Sequence, residues 1–290
     1  MMIYFKQLLT AMLWGGAFVA GRYVSQHAGP FSIAFLRFAI ASALLIGLAW
    51  KIEGRLAKPK RGQITSIILL GITGVFLYNS LFFTALKTVE ASRASLIIAT
   101  CPVFIALSSA VLLKERLSLA KVLGVVLSVS GAMVVISRAS LRNVLEGGMG
   151  RGELYLFGCV ASWAAYSLIG RSVMNKLSPL ICVSYASVVG AVALCVPACI
   201  EGLWQNLRSQ SLLDWLCILY LAVFATAIGF VWYYQGVKHI GPTRAGLFIN
   251  FVPIFAILFA FIFLREAITI SLLVGAALVV GGVYLTNRPS

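Results

Sequence analysis

The chain contains itself. Residues 87–117, KTVEASRASLIIATCPVFIALSSAVLLKERL, lie over residues 238–268, KHIGPTRAGLFINFVPIFAILFAFIFLREAI, without a gap at a shift of 151 residues. Lys87, Arg93, Pro102, Phe104, Glu115, Gly124 and Gly131 meet identical residues in Lys238, Arg244, Pro253, Phe255, Glu266, Gly275 and Gly282. Nearer the start, a shift of 149 pairs Trp14 with Trp163, Arg22 with Arg171 and Pro30 with Pro179. Two copies of one sequence must fold into two similar units. In a very apolar chain such a repeat points to a carrier, because two related halves that rock about one site are the simplest way to pass a solute through a bilayer.

Composition sets the solvent. With 61% apolar and 11% charged residues, the chain has too little polar surface to cover a water-soluble globule. The net charge of +15 would suggest nucleic acid in a soluble protein, but here Lys and Arg fall in short gaps between apolar runs, where they orient helices. The six cysteines, Cys101, Cys159, Cys182, Cys195, Cys199 and Cys217, lie inside apolar segments without metal-ligand spacing, so they read as packing residues. The first apolar stretch is long for a signal peptide core and reappears in the second half, which makes it a retained span.

A hydrocarbon core of about 30 Å takes roughly 20 helical residues per crossing, and continuous apolar runs exclude a closed barrel. The expected fold is therefore all-α and polytopic, with ten transmembrane helices at about 4–24, 31–50, 63–86, 92–113, 118–137, 152–173, 180–200, 212–236, 243–264 and 269–286. Pro30, Pro179 and Pro242 stand at helix starts, where a missing N–H costs nothing. Five spans per copy is an odd number, so the second copy enters the membrane from the opposite side and the repeat is inverted. The division is residues 1–140 for the first repeat, 141–151 for a linker and 152–290 for the second. With the N-terminus inside, 14 basic residues fall on inner segments and eight on outer ones, which favours both termini in the cytoplasm. The outer linker, with Arg138, Arg142 and Arg151, dissents.

LLTAMLWGGAFVAGRY followed by FLRF, TALKTVEASRASLIIATCPVFIAL with LLKERLS, and YYQGVKHIGPTRAGLFINFVPIF with FLREAIT together resemble the drug/metabolite transporter superfamily, in its EamA-type branch of ten-helix carriers. The resemblance covers nearly the whole chain and extends to the YddG-like amino acid exporters of bacteria. It implies export or facilitated passage of amino acids or similar small metabolites by alternating access, from a bacterial inner membrane. A carrier of another solute class (drug, purine or other metabolite) is the alternative, followed by an intramembrane enzyme.

The candidate site residues follow from the inverted repeat, which places a site near the midplane where helices are broken. Pro102 and Pro253 are twin interior prolines that free the carbonyls of Ile98 and Ile249, and they are candidate hinges. Ser95 shares a helical face with Pro102, and Asn250 shares the matching face with Pro253. Trp14 and Trp163 lie well inside their spans, away from the interfacial belts, as do Tyr78 and Asn79; Tyr166 follows Trp163 by almost a turn. Such aromatics suit a zwitterion, holding an ammonium on their faces while their polar edges bond a carboxylate. Each residue also has a structural reading, since small residues let helices pack closely in lipid and buried aromatics fill space.

All eight Asp and Glu fall in loops or near helix ends, so no carboxylate is expected at the midplane and a facilitator fits better than a proton antiporter. Glu115 and Glu266 read as helix-end anchors, with a gate role as the lesser reading, and Arg37 as a residue that snorkels or bonds loop carbonyls, with a direct substrate contact as the lesser reading. The glycine stripes of spans five and ten either brace each half or make a dimer interface. GxGD, HExxH and GxSxG are missing and His27 and His239 lie in loops or at helix ends, so no catalytic group, metal or cofactor is expected. The partners expected are a small-molecule substrate and the lipid bilayer, not nucleic acid, and the expected state is a monomer.

Overall fold

The computed structural model describes residues 2–54, 56, 58–112, 119–137, 150–173, 177–240 and 242–286. Among them every regular element is helical, and the helices form ten rods. Spans one and two are Met2–Val24 and Pro30–Glu53. Span three runs Arg61–Leu70, Gly71–Leu77 and Tyr78–Ala85, and span four Ala91–Ile98 and Cys101–Leu112. Spans five, six and seven are Leu119–Ser137, Arg151–Val173 and Pro179–Ile200. Span eight runs Leu212–Leu219, Tyr220–Ile228 and Gly229–Ile240; span nine Pro242–Ile249 and Val252–Leu264; span ten Ile270–Thr286. Seven of these rods are long and apolar enough on their own to cross a membrane. The sequence reading did not include the short helix Leu203–Ser209 between spans seven and eight.

The repeat is visible in the irregularities. Span three turns π-helical over Gly71–Leu77 and span eight over Tyr220–Ile228, and a shift of 151 brings Leu77 onto Ile228, so both segments end at twin residues. Span four breaks at residues 99–100 and span nine at 250–251, again twins. The physical cause is the proline. Pro102 and Pro253 have no N–H to offer Ile98 and Ile249, and each becomes the second residue of a fresh helical segment, where that N–H is not needed.

Spans of opposite halves pair antiparallel. The start of span one reaches the end of span eight through Lys6 Nζ and Gln235 Oε1 at 3.0 Å, while His27, past its end, meets Asp214 at the start of span eight at 2.9 Å. Spans two and seven exchange carboxylates at both ends. Glu201, closing span seven, accepts from the Ser32 N–H at 2.7 Å, where the N-cap residue Gly29 has no side chain to cap its own helix. Glu53, closing span two, accepts from the Ser178 hydroxyl, which itself accepts from the Ile181 N–H at the start of span seven. A negative group at a helix N-terminus satisfies an orphan donor and complements the macrodipole.

The glycine stripes neither brace one half nor face outward; they meet each other. A Cβ at Gly124 would stand 2.5 Å from the Gly282 carbonyl oxygen, and one at Gly131 would stand 2.8 Å from that of Gly275. The Ser128 hydroxyl between them donates to the Val279 carbonyl at 3.2 Å. Spans five and ten, one from each half, thus form an antiparallel clasp at backbone contact, as small residues allow in lipid. Replacing Gly282 by Val drives a side chain into the span-five backbone. Overpacking of this kind costs about 1–3 kcal/mol, so Gly282→Val is expected to unfold several degrees below wild type in a detergent melt, and Gly281→Val, with open space around its Cβ position, close to wild type.

Candidate functional site

Aromatic residues from spans three and six come together beside the first π-helical segment. The Tyr78 ring lies 5.4 Å from Trp163 and stacks on Phe82 at 5.9 Å, and Trp163 stacks on Tyr166 at 5.1 Å. Three of the sequence candidates, Tyr78, Trp163 and Tyr166, therefore form one cluster. Tyr166 is buried against the helix backbone at Gly74, where its ring occupies the space a Cβ would need. Tyr78 and Trp163 are only half-buried.

Trp14 sits at the corresponding place in the other half, against span eight, with Tyr233 at 5.4 Å and Phe230 at 5.7 Å. Its indole N–H is engaged, donating to the Ala225 carbonyl within the second π-helical segment at 2.8 Å. Among the described residues the Trp163 indole N–H has no such acceptor. The twins differ in chemistry: one tryptophan ties a backbone, the other keeps a donor.

Arg37 is placed differently from the sequence reading. It neither snorkels nor bonds loop carbonyls; it is 9% exposed and lies about a third of the way along span two. Its Nε donates to Thr226 Oγ1 of span eight at 3.0 Å and its Nη1 to Asn79 Oδ1 of span three at 3.1 Å. Both acceptors are oriented by the π-helical segments. The Asn79 amide N–H donates to the Val75 carbonyl at 2.9 Å and the Thr226 hydroxyl to the Leu221 carbonyl at 2.8 Å, which leaves an oxygen of each for the guanidinium. The reading as a snorkelling group failed because a sequence places Arg37 near a helix start without showing that span eight closes over it. Asn79, already singled out, was the available signal. Nothing in the sequence marked Thr226.

Ser95 and Asn250 lie apart in chemistry. The Ser95 hydroxyl turns back to the Ser92 carbonyl at 2.7 Å and is buried, while Asn250 stands in the break of span nine, half-buried and without a described bond. The neighbouring Ile249 packs with Trp14, Thr10, Gln7, Tyr233 and Phe248 around a gap too small to hold a water. At the face opposite the termini, Glu266 caps the start of span four, accepting from the Ala91 and Ser92 N–H groups at 2.8 and 3.0 Å. Arg265 has a positive φ of 57°, unusual for a side-chain-bearing residue, and this turn aims Glu266 across. Glu115 lies outside the described residues. On the same face Arg93 pairs with Glu153 at 3.2 Å and bonds the Ile136 carbonyl at 3.0 Å, so spans four, five and six are tied together.

Ten helical rods in two inverted sets, broken at twin positions around an aromatic and polar interior, define a polytopic membrane carrier. The sequence profile of the EamA-like transporter family matches residues 1–137 and again 150–288, and the chain belongs to that family. It is 30% identical over 285 residues to the uncharacterized transporter YyaM of Bacillus subtilis (strain 168), covering 98% of this chain and 93% of that one. An uncharacterized transporter of Archaeoglobus fulgidus is 32% identical over 282 residues, covering 97% and 96%. A protein of Streptantibioticus cattleyicolor named a probable terminal-alkyne amino-acid exporter is 29% identical over 286 residues, covering 97% and 92%. One crystal structure superposes with a TM-score of 0.66 at 22% identity over 98% of this chain and 96% of that one, a likeness of fold.

The twin tryptophans generate a paired expectation. Trp14→Phe leaves the buried Ala225 carbonyl without its donor, which costs about 1–3 kcal/mol, and lowers the melting temperature in detergent. Trp163→Phe, which breaks no described bond, leaves that temperature close to wild type.

Proposed function

We propose that the protein moves small organic metabolites, amino acids first among them, across a bacterial inner membrane by alternating access between its two inverted repeats, with both termini in the cytoplasm. The observation that carries this reading is the pair of twin helix breaks, at 99–100 and 250–251. Pro102 and Pro253 act as the hinges, since a helix already divided needs no further hydrogen bond broken to bend there. Amino acid cargo is supported by the exporter among the relatives and by an aromatic cluster suited to an ammonium group. The bacterial inner membrane is supported by the Bacillus relative, and the cytoplasmic termini by the excess of Lys and Arg on the inner segments.

Trp163 and Tyr78 contact the solute, with Tyr166 behind them and Asn79 holding the polar side. Trp14 supports the opposite wall, and Ser95 and Asn250 flank the hinges. The carrier works as a facilitator. Every described Asp and Glu lies at a helix end or in a loop, and the midplane offers no carboxylate to carry a proton.

Uptake of radiolabelled amino acids into proteoliposomes, with and without an imposed pH gradient, tests the reading. Saturable uptake indifferent to the gradient is expected; uptake of none, by verified folded protein, rejects amino acids as cargo. In the same assay Trp163→Ala is expected to lose transport while inserting normally, and unchanged transport by folded Trp163→Ala would remove that residue from the site.

A further inference from the structure

A guanidinium buried within a membrane span is costly and normally lies beside a carboxylate or backbone carbonyls. Arg37 has none. The ion pairs among the described residues are His27 with Asp214 and Arg93 with Glu153, and the two groups that bond Arg37, Asn79 and Thr226, are both neutral. They take two of its five N–H donors, the Phe38 ring lies 5.2 Å from the guanidinium, and no described carboxylate neutralises the charge.

The fold itself shows that this charge is not a packing requirement. Span two against span eight and span seven against span three are the same helix pair, present once in each orientation. Counted from the shared prolines Pro30 and Pro179, Arg37 corresponds to Ala186. The span-seven pair comes together on small apolar residues: a Cβ at Gly71 would stand 2.9 Å from the Ala186 carbonyl and 2.7 Å from the Val189 side chain, and Val75 fills the space over Gly190. One copy of the interface therefore closes on small apolar residues, while the other holds a buried cation. Its partner Asn79 directly follows Tyr78 of the aromatic cluster, and through Asn79 and Thr226 the cation touches both halves of the carrier.

We propose that Arg37 is the group that reads the acidic end of the solute: the cargo carries a carboxylate, which pairs with the Arg37 guanidinium as the solute crosses. A carboxylate supplies the missing charge and accepts two parallel N–H bonds in the geometry that only arginine offers. Asn79 and Thr226 position Arg37, and their attachment to the two π-helical segments makes its orientation depend on both halves. The assignment rests on the carrier reading and not on the amino group of the cargo.

The test uses the full-length purified protein and measures the shift in melting temperature on titration with proteinogenic amino acids, their carboxamides, the matching 2-hydroxy acids, chloride and inorganic phosphate. In wild type, at least one carboxylate is expected to bind roughly 10-fold or more tightly than its carboxamide, the loss of one charge-assisted bond. In Arg37→Gln that discrimination should vanish, and Arg37→Lys should retain part of it. Amides that match acids, discrimination that survives in Arg37→Gln, or stabilisation by inorganic anions alone each overturn the assignment; the acid–amide comparison in wild type decides the matter even where a variant does not fold. Binding of 2-hydroxy acids but not of amino acids supports Arg37 and rejects amino acid cargo. Binding of amides as well as acids rejects Arg37 and leaves the carrier standing.

Discussion

A helix inside lipid cannot be opened without new partners for its backbone, because no water is there to bond the freed carbonyls. This carrier opens four helices and solves the problem locally each time. In span three the Thr73 carbonyl is met by the Ser162 hydroxyl of span six at 2.8 Å, and the Val75 carbonyl by Asn79. In span eight the Ala225 carbonyl is met by Trp14 of span one at 2.8 Å, and the Leu221 carbonyl by Thr226. Each π-helical segment is thus solvated by side chains of its own span and by the first helix of the opposite half. Irregular backbone inside lipid can exist only where such donors reach it.

The same economy of partners joins the halves. Three of the tie points involve a helix end of one half answered by the other: Glu201 at the start of span two, Glu53 with Ser178 at the start of span seven, and Glu266 at the start of span four. Two of these ties flank one antiparallel helix pair and the third lies between the broken helices. A rocking motion that separates spans four and nine on the face opposite the termini must release Glu266 from three donors of Ala91 and Ser92, whereas the span-two and span-seven pair can turn as a unit with its caps intact. Spans five and ten, interlocked at Gly124, Gly131, Gly275 and Gly282, sit as a fixed clasp about which such motion can take place.

Ten spans, the inversion and the twin breaks were legible in the sequence because each rests on one-dimensional signals: apolar length, an odd count per copy, and a proline that removes one N–H. Helix ends came within a few residues for the same reason. The π-helical segments were not legible, since GITGVFL and YLAVFATAI carry no residue that forces an i to i−5 ladder; that ladder depends on donors brought from other spans. The glycine stripes were legible as contact surfaces but not as partners of each other, because a stripe shows that a backbone can be approached and not by which helix. Arg37 was misplaced for a related reason. Its distance from the start of span two is readable, but its burial depends on Asn79 and Thr226 arriving from residues 42 and 189 positions away.

The two copies share their break points and their closest helix contact: Pro102 and Pro253, Gly124 and Gly275, Gly131 and Gly282, and Glu115 and Glu266 are identical pairs. The polar interior does not follow the repeat. Arg37 faces Ala186, Thr226 faces Val75, and the bonded indole of Trp14 faces a Trp163 indole without a described acceptor. The two copies have diverged in these polar side chains: a cation held by two neutral acceptors stands in one copy where an alanine stands in the other.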